Sequence, residues 1–303
     1  MGSSNALFQL SSPQGSVVLR RLARAPESVA RQHALVRQLA SEGFPAVPPL
    51  ESQAGNTLLA HGDATYVLYP LVPGRHPKPG DPHAAAVAGG ALARLHALTS
   101  HCRHPAPNPR PPMRERFLSS AGRFGARVDA VLADASLAAA HTDARWLGQR
   151  VQALAGALEA PAYERLPSAV IHGDFNAENL ILDGPSLVAV LDFDLATEDA
   201  RVADLAVALH YLAREDRRGS IAARAAGRLL SAYEEISPLN VAERQATVVL
   251  VEAKAARSAM RMLRHVVKAP SLRRRDLSGR LGSQLQGLRA LDEDPGWQEA
   301  VLE

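Results

Sequence analysis

Apolar residues fall in short runs near the start of the chain and at helical spacing through most of the rest. Leu7-Phe8-Gln9-Leu10 and Val17-Val18-Leu19-Arg20 flank the turn formers Ser12-Pro13-Gln14-Gly15, which predicts a hairpin over residues 6–22. From Pro26 to Gly43 the apolar positions Val29, Leu35, Val36 and Leu39 share one helical face, and Gly43 followed by Pro45 supplies the stop. Leu58-Leu59 and Tyr66-Val67-Leu68-Tyr69 read as two more strands, the second closing at Pro70 before a Pro/Gly-rich stretch from Pro73 to Pro82. Beyond it, Ala/Leu-rich segments near 83–99, 139–159, 200–214, 220–235 and 238–267 predict helices. Three apolar runs interrupt them: Ala169-Val170-Ile171, Leu180-Ile181-Leu182 and Val188-Ala189-Val190-Leu191, all strand-like. The expectation is an α+β chain with a small β-rich lobe over 1–72 and a larger, mostly helical lobe over 73–303. There is no internal repeat, and Pro105–Pro112 reads as a surface loop.

Composition narrows the class. With 303 residues, 47% hydrophobic and 21% charged, the chain can bury a full core and is not a disordered tail. The single cysteine, Cys102, excludes an intrachain disulfide and thiolate-rich zinc clusters, and fits a reducing compartment. No apolar run approaches the ~18 residues of a membrane span, and Met-Gly-Ser-Ser-Asn lacks the order of a signal peptide, so a cytoplasmic protein without a membrane partner is expected. The net charge is +3, but aromatic residues are only 4% and no basic block interleaves with stacking side chains, so no nucleic-acid partner is expected. The charge is uneven: residues 201–291 carry 17 Lys/Arg against 8 Asp/Glu, an excess of 17 − 8 = +9. The sequence does not fix an oligomeric state.

The densest polar cluster lies among the three strand-like runs. Val170-Ile171-His172-Gly173-Asp174-Phe175-Asn176-Ala177-Glu178-Asn179-Leu180 places an Asp and an Asn five residues apart, and Val190-Leu191-Asp192-Phe193-Asp194 follows after a turn. Strands pin polar groups at their ends, so Asp174, Asn179 and Asp192 can converge from a rigid frame. Magnesium takes one or two carboxylates or an amide together with phosphate oxygens and water; Asn179 and Asp192 supply such ligands and leave Asp174 to face a substrate hydroxyl. Phosphoryl transfer needs that division of labour.

The segment resembles the Brenner motif of the aminoglycoside phosphotransferase family: His-Gly-Asp, four residues, Asn, then an Asp-Phe-Asp strand end. That superfamily has the protein-kinase-like two-lobed fold and includes antibiotic kinases, choline kinase and the bacterial type of homoserine kinase. Tyr66-Val67-Leu68-Tyr69-Pro70-Leu71-Val72-Pro73-Gly74 is similar to the family's hinge strand, Ala91-Leu92-Ala93-Arg94-Leu95-His96 resembles the helix after it, and Arg201-Val202-Ala203-Asp204-Leu205-Ala206 resembles the segment beneath the catalytic loop. The resemblance implies a transfer of the γ-phosphate of ATP or GTP to a small-molecule hydroxyl, with Asp174 accepting or orienting the hydroxyl proton, and Asn179 and Asp192 holding Mg2+. It also implies that backbone groups near Tyr69 and Leu71 meet the purine, and that Arg20 contacts the phosphates. Two positions depart from the family pattern. Gln32 stands where many members carry a Glu paired with the basic residue, and the β-rich lobe is expected to be shortened at its start, with Ser3, Ser4 and Asn5 left to serve as the phosphate-covering turn.

Several of these residues have plainer readings. An Asp-Phe-Asp alone is more often a strand end, and only its order with His-Gly-Asp and Asn makes it a candidate metal site. His172 is expected to brace the loop rather than act as a base, Asp204 to hold the loop backbone, and His96 to be a satisfied core histidine. Asp194 is either a support for the metal site or a solvated turn residue. Arg257, Arg261 and Arg264 recur at three- to four-residue spacing and are candidate substrate contacts, the alternative being a solvated helix face. Such a stripe would repel a polycationic aminoglycoside. The expectation is a kinase for a natural-product antibiotic that is nucleoside- or sugar-bearing, with a link to antibiotic resistance. The alternatives are a homoserine kinase-like metabolic enzyme and a catalytically silent nucleotide-binding scaffold.

Overall fold

The computed structural model describes residues 6–13, 15–22, 26–100, 107, 109–215, 220–268, 271–294 and 296–303. Its first part is a four-stranded antiparallel sheet in the order β1-β2-β4-β3, formed by β1 (Ala6–Ser12), β2 (Gly15–Arg21), β3 (Leu59–His61) and β4 (Ala64–Pro70). The predicted hairpin is β1–β2, and β2 pairs with β4 so that Arg20 stands opposite Val67 and Val18 opposite Tyr69. Helix α1 (Pro26–Ser41) follows β2 and buries Val29, Leu35, Val36 and Leu39, the residues that predicted it. Gly43, at φ 76°, ends it in the left-handed conformation that glycine adopts without steric cost.

The larger part is helical. Helix α2 (Pro82–Thr99) starts at an Asp81 cap that accepts from the His83 N–H. It is followed by α3 (Met113–Ala121), α4 (Gly125–Ala133), α5 (His141–Leu158), α6 (Arg201–Leu212), α7 (Ala223–Glu234), α8 (Val241–Lys268), α9 (Ser271–Glu293) and α10 (Gly296–Leu302). Between α5 and α6 two small antiparallel pairs carry the polar motif: β5 (Ser168–Ile171) with β8 (Thr197–Ala200), and β6 (Leu180–Asp183) with β7 (Ser186–Val190). One hydrophobic core runs from Leu35 and Leu39 of α1 through Leu92, Phe117, Leu147, Phe175 and Leu205 to Leu263 and Trp297. A backbone bridge from Ala46 to Val190 joins the two parts, and at the start of the larger one Arg75 and Leu182 exchange N–H···O bonds of 2.9 and 2.8 Å. This is the kinase-like α+β architecture expected from the sequence. The structure adds α3, α4, α10 and β8, which the sequence pattern did not single out. Among the described residues no helix is long and apolar enough to cross a membrane.

Candidate active site

Strand β5 delivers its last residue, Ile171, to a tight loop held from below by Asp204 near the start of α6. Asp204 is fully buried; its two oxygens accept from the backbone N–H of His172 at 2.6 Å and of Gly173 at 2.8 Å. Gly173 has φ +80°, and a Cβ there would lie 2.4 Å from the Leu195 carbonyl oxygen, so only glycine lets the loop approach the turn after β7. His172 is also fully buried. Its Nε2 lies 2.8 Å from the Leu191 carbonyl and its Nδ1 accepts from the Asp174 N–H at 3.3 Å, which requires the neutral tautomer protonated on Nε2. Both ring nitrogens are thereby engaged, and His172 is a brace with no proton to exchange with a substrate. His96 is likewise satisfied in the core, between the Tyr233 hydroxyl at 2.8 Å and Asp204 at 3.4 Å.

The loop then aims Asp174 and Asn179 at each other. Asn176 caps a single 3-10 turn (Ala177–Asn179), and Asn179 Nδ2 donates to the Asp174 carbonyl at 2.9 Å and reaches its carboxylate at 3.5 Å. That leaves Asn179 Oδ1 as the amide atom for a cation. The Asn179 carbonyl accepts from the Leu191 N–H at 2.8 Å, which sets the end of β7 beside it. Next comes Asp192, with φ 56° and ψ 67°, the one non-glycine residue of positive φ among the described residues. That conformation costs about 1–2 kcal/mol and turns the strand end back on itself, a strain typical of functional positions.

Across the crevice Arg20 projects from β2, ion-paired with Asp194 and 3.5 Å from the Asp192 carboxylate. Burial opposes the charge of Arg20, but Asp194 and Asp192 together hold its guanidinium more basic than usual. The Asp192 carboxyl is pushed up by burial and then by Asp194, against the pull of Arg20. Gln32 is buried and lines the same space. The countercharge that a helix Glu would supply to Arg20 therefore comes from Asp194, 174 residues away, a pairing that no local pattern in the sequence signals.

These groups border a cavity of about 740 Å³ between the sheet and the β6–β7 pair, lined by Val18, Arg20, Tyr69, Leu71, Asn179, Asp192 and Asp194 among others. The volume suits a nucleotide-sized ligand. Tyr69 contributes its phenol as well as its backbone: the hydroxyl lies 3.3 Å from His33 Nε2, and burial raises its pKa to about 12. The Leu71 N–H is turned to the Ser16 carbonyl at 3.3 Å. Asp174 does not line this cavity; it stands beside it, tied to its rim by Asn179, and its charge acts on Tyr211 and Lys254. Of the candidate substrate contacts, Arg257 is half-buried and Arg261 exposed but electrostatically linked to it, whereas Arg264 is exposed. Ser3, Ser4 and Asn5 lie outside the described residues. A larger cavity of about 1030 Å³ between the 109–115 segment, β8 and Leu250 contains none of the motif residues.

Oxygen donors from an amide and a carboxylate fit a hard divalent cation that completes its shell with phosphate oxygens and water. Among the described residues no group of three or more His, Cys, Asp or Glu forms an all-protein metal cage, and a shared site of this kind does not need one.

Comparison with known proteins agrees with this geometry. Residues 1–239 match the model of the Phosphotransferase enzyme family, APH. The chain is 29% identical over 246 residues to a homoserine kinase of Pseudomonas aeruginosa, covering 80% of this chain and 72% of that protein. In fold it is similar to an aminoglycoside phosphotransferase from Alicyclobacillus acidocaldarius, with a TM-score of 0.75 and 15% identity over 98% of this chain and 92% of the other. It is also similar to an amicoumacin kinase solved with AMP-PNP, Ca2+ and its ligand, with a TM-score of 0.69 and 16% identity over 98% of this chain and 88% of the other. With the family match spanning most of its length, the chain belongs to the APH phosphotransferases, a family of small-molecule kinases.

Proposed function

We propose that the protein transfers the γ-phosphate of ATP or GTP to a hydroxyl of a small, non-polycationic metabolite in the cytoplasm. The observation that carries this reading is the position of Asp174, joined through Asn179 to the rim of a nucleotide-sized cavity yet electrostatically open to a second, cationic face. Asn179 and Asp192 would hold Mg2+, which when bound neutralises charge on the phosphate oxygens. Arg20 exchanges its contact with the Asp192 carboxylate for a phosphate oxygen while keeping Asp194, and Asp174 orients the acceptor hydroxyl and takes its proton. The curated relatives named homoserine kinase favour a metabolic acceptor over an antibiotic. Likeness to antibiotic kinases at 15–16% identity speaks for the fold alone.

The test is phosphate transfer from ATP and from GTP, with magnesium, to a panel of hydroxyl compounds that includes L-homoserine. Asp174→Asn is expected to lose about 10²–10⁴-fold in kcat while its affinity for AMP-PNP stays within a few-fold of wild type. If the wild-type protein binds AMP-PNP but phosphorylates no member of the panel, the scaffold reading replaces this one.

A further inference from the structure

Several half-buried arginines in the helical part are neutralised by carboxylates. Arg150 pairs with Glu252 and Asp292 at 2.6 Å each, Arg201 with Glu243 at 2.6 Å, Arg244 with Glu234 at 2.7 Å and Arg289 with Asp143 at 3.0 Å. Near Lys254 and Asp174 the charges are not matched in this way. Arg116 of α3 and Lys254 and Arg257 of α8 are near enough for their charges to act on one another, and among the described residues none of the three forms an ion pair of 4 Å or less with a carboxylate. Arg116 Nε is buried with no hydrogen-bond partner. The Lys254 ammonium lies 5.0 Å from the centre of the Tyr211 ring, a cation–π contact that supplies attraction but no countercharge.

The crowding is visible in each group. Burial lowers Lys254 to about 8, with Asp174 opposing and Arg261, Arg257 and Arg116 adding to the loss. Burial also lowers Arg257 to about 10, followed by the charges of Arg116, Arg261 and Arg110. A solvated helix face does not behave this way: its cations point outward and keep their hydration, as exposed Arg264 does one heptad further along α8. Like charges drawn together and partly dehydrated are held at a cost in folding free energy, and a ligand anion is what offsets it. Asp174, which acts on Lys254, is the residue assigned to the acceptor hydroxyl, and Asp199 offsets part of the crowding at Arg116, so two carboxylates stand near three cations.

We infer that the acceptor carries an anionic group, a carboxylate or a phosphate, bound by Lys254, Arg257 and Arg116 while its hydroxyl faces Asp174. This rests on the assignment of Asp174 to the acceptor side. Helix α8 begins at Val241, past residue 239 where the family match ends, whereas Arg116 lies within the matched span. Arg116 was absent from the sequence-derived candidates because it joins Arg257 only when α3 packs on α8, whereas Lys254, three residues before Arg257 on the same helix, extends the spacing that singled out Arg257, Arg261 and Arg264.

The test titrates malonate and, separately, inorganic phosphate into the protein saturated with AMP-PNP and magnesium, which blocks the nucleotide cavity, with binding read by calorimetry. Saturable binding of at least one anion is expected, and the tighter of the two identifies the group. Lys254→Gln and Arg257→Gln should each weaken it about 10- to 100-fold. Lys254→Arg should restore most of it, and Arg224→Gln on the exposed face of α7 should leave it unchanged. Absence of saturable binding, or equal weakening by Arg224→Gln, overturns the inference. Failure of AMP-PNP to bind at all would instead sink the kinase reading, so the two failures are distinguishable.

Discussion

Asp204 shows how much of the loop from His172 to Asn179 depends on one side chain. It is fully buried and receives two backbone N–H groups of the loop, while His96 approaches it from the side. Asp204→Ala strands both donors without water, at about 1–3 kcal/mol each, and frees the loop that carries Asp174. We expect a loss of about 2–5 kcal/mol in urea unfolding together with a fall in kcat, and an intermediate effect for Asp204→Asn, which keeps one acceptor oxygen. His172, Asp174, Asn179 and Asp192 were legible from the sequence because they lie within one short stretch whose spacing reports the loop itself. Arg20 was legible as a strand-end cation, but its bond to Asp194 was not, because that contact exists only once the sheet docks over β7.

Elements were legible where burial imposed a long period. Helices α2, α5, α6, α7 and α8 each present several turns of apolar residues to the core, and their spans follow the pattern closely. Helices α3 and α4 have nine residues each and bury only two or three side chains, too few to set a period. Thr197-Glu198-Asp199-Ala200 has no strand propensity; it is β8 because β5 offers it a partner, from Ile171↔Thr197 to Ser168↔Ala200. Helix packing is just as dependent on the partner. Gly89 of α2 meets α7 so closely that a Cβ would sit 2.1 Å from the Leu229 carbonyl oxygen, whereas the nearest atom to a Cβ at Gly90 is 3.8 Å away. Gly89→Ala should therefore separate the two helices and cost about 3 kcal/mol or more, while Gly90→Ala should be neutral or stabilise by up to about 1 kcal/mol through helix propensity. Chemical denaturation of the pair checks this, and similar losses for both would contradict the close approach.

At the scale of the whole molecule, stability responds to acid through groups held neutral by the fold. His33 is buried between Thr57 and Tyr69, and burial, with Arg37 and Arg20 adding, lowers its pKa from 6.5 to about 4. Its folded pKa lies below its unfolded one, so the unfolded chain binds the proton more readily. The stability this group confers is complete above pH 6.5 and is lost as pH falls towards 4. Glu252, raised to about 7 by burial against the pull of Arg150, works in the opposite sense, losing stability as pH rises from 4.5 towards 7. The His33→Gln variant should show a shallower fall in Tm between pH 6.5 and 4 than wild type, and an unchanged slope there would show that His33 is not held neutral. His33 also lines the cavity that Arg20, Asn179 and Asp192 border, with its hydrogen-bond partners in the strand-rich part.

The sequence by itself determined the element order of the strand-rich start, the long helices, and the loop bearing Asp174, Asn179 and Asp192, because each is specified by residues close along the chain. Only the tertiary structure decided which charges face one another. It gave Arg20 its partner in Asp194 and brought Arg116 of α3 to Lys254 and Arg257 of α8. The physical reason is range: periodicity and propensity act over a few residues, whereas Coulomb and packing energies depend on distance in space, which the sequence alone does not supply.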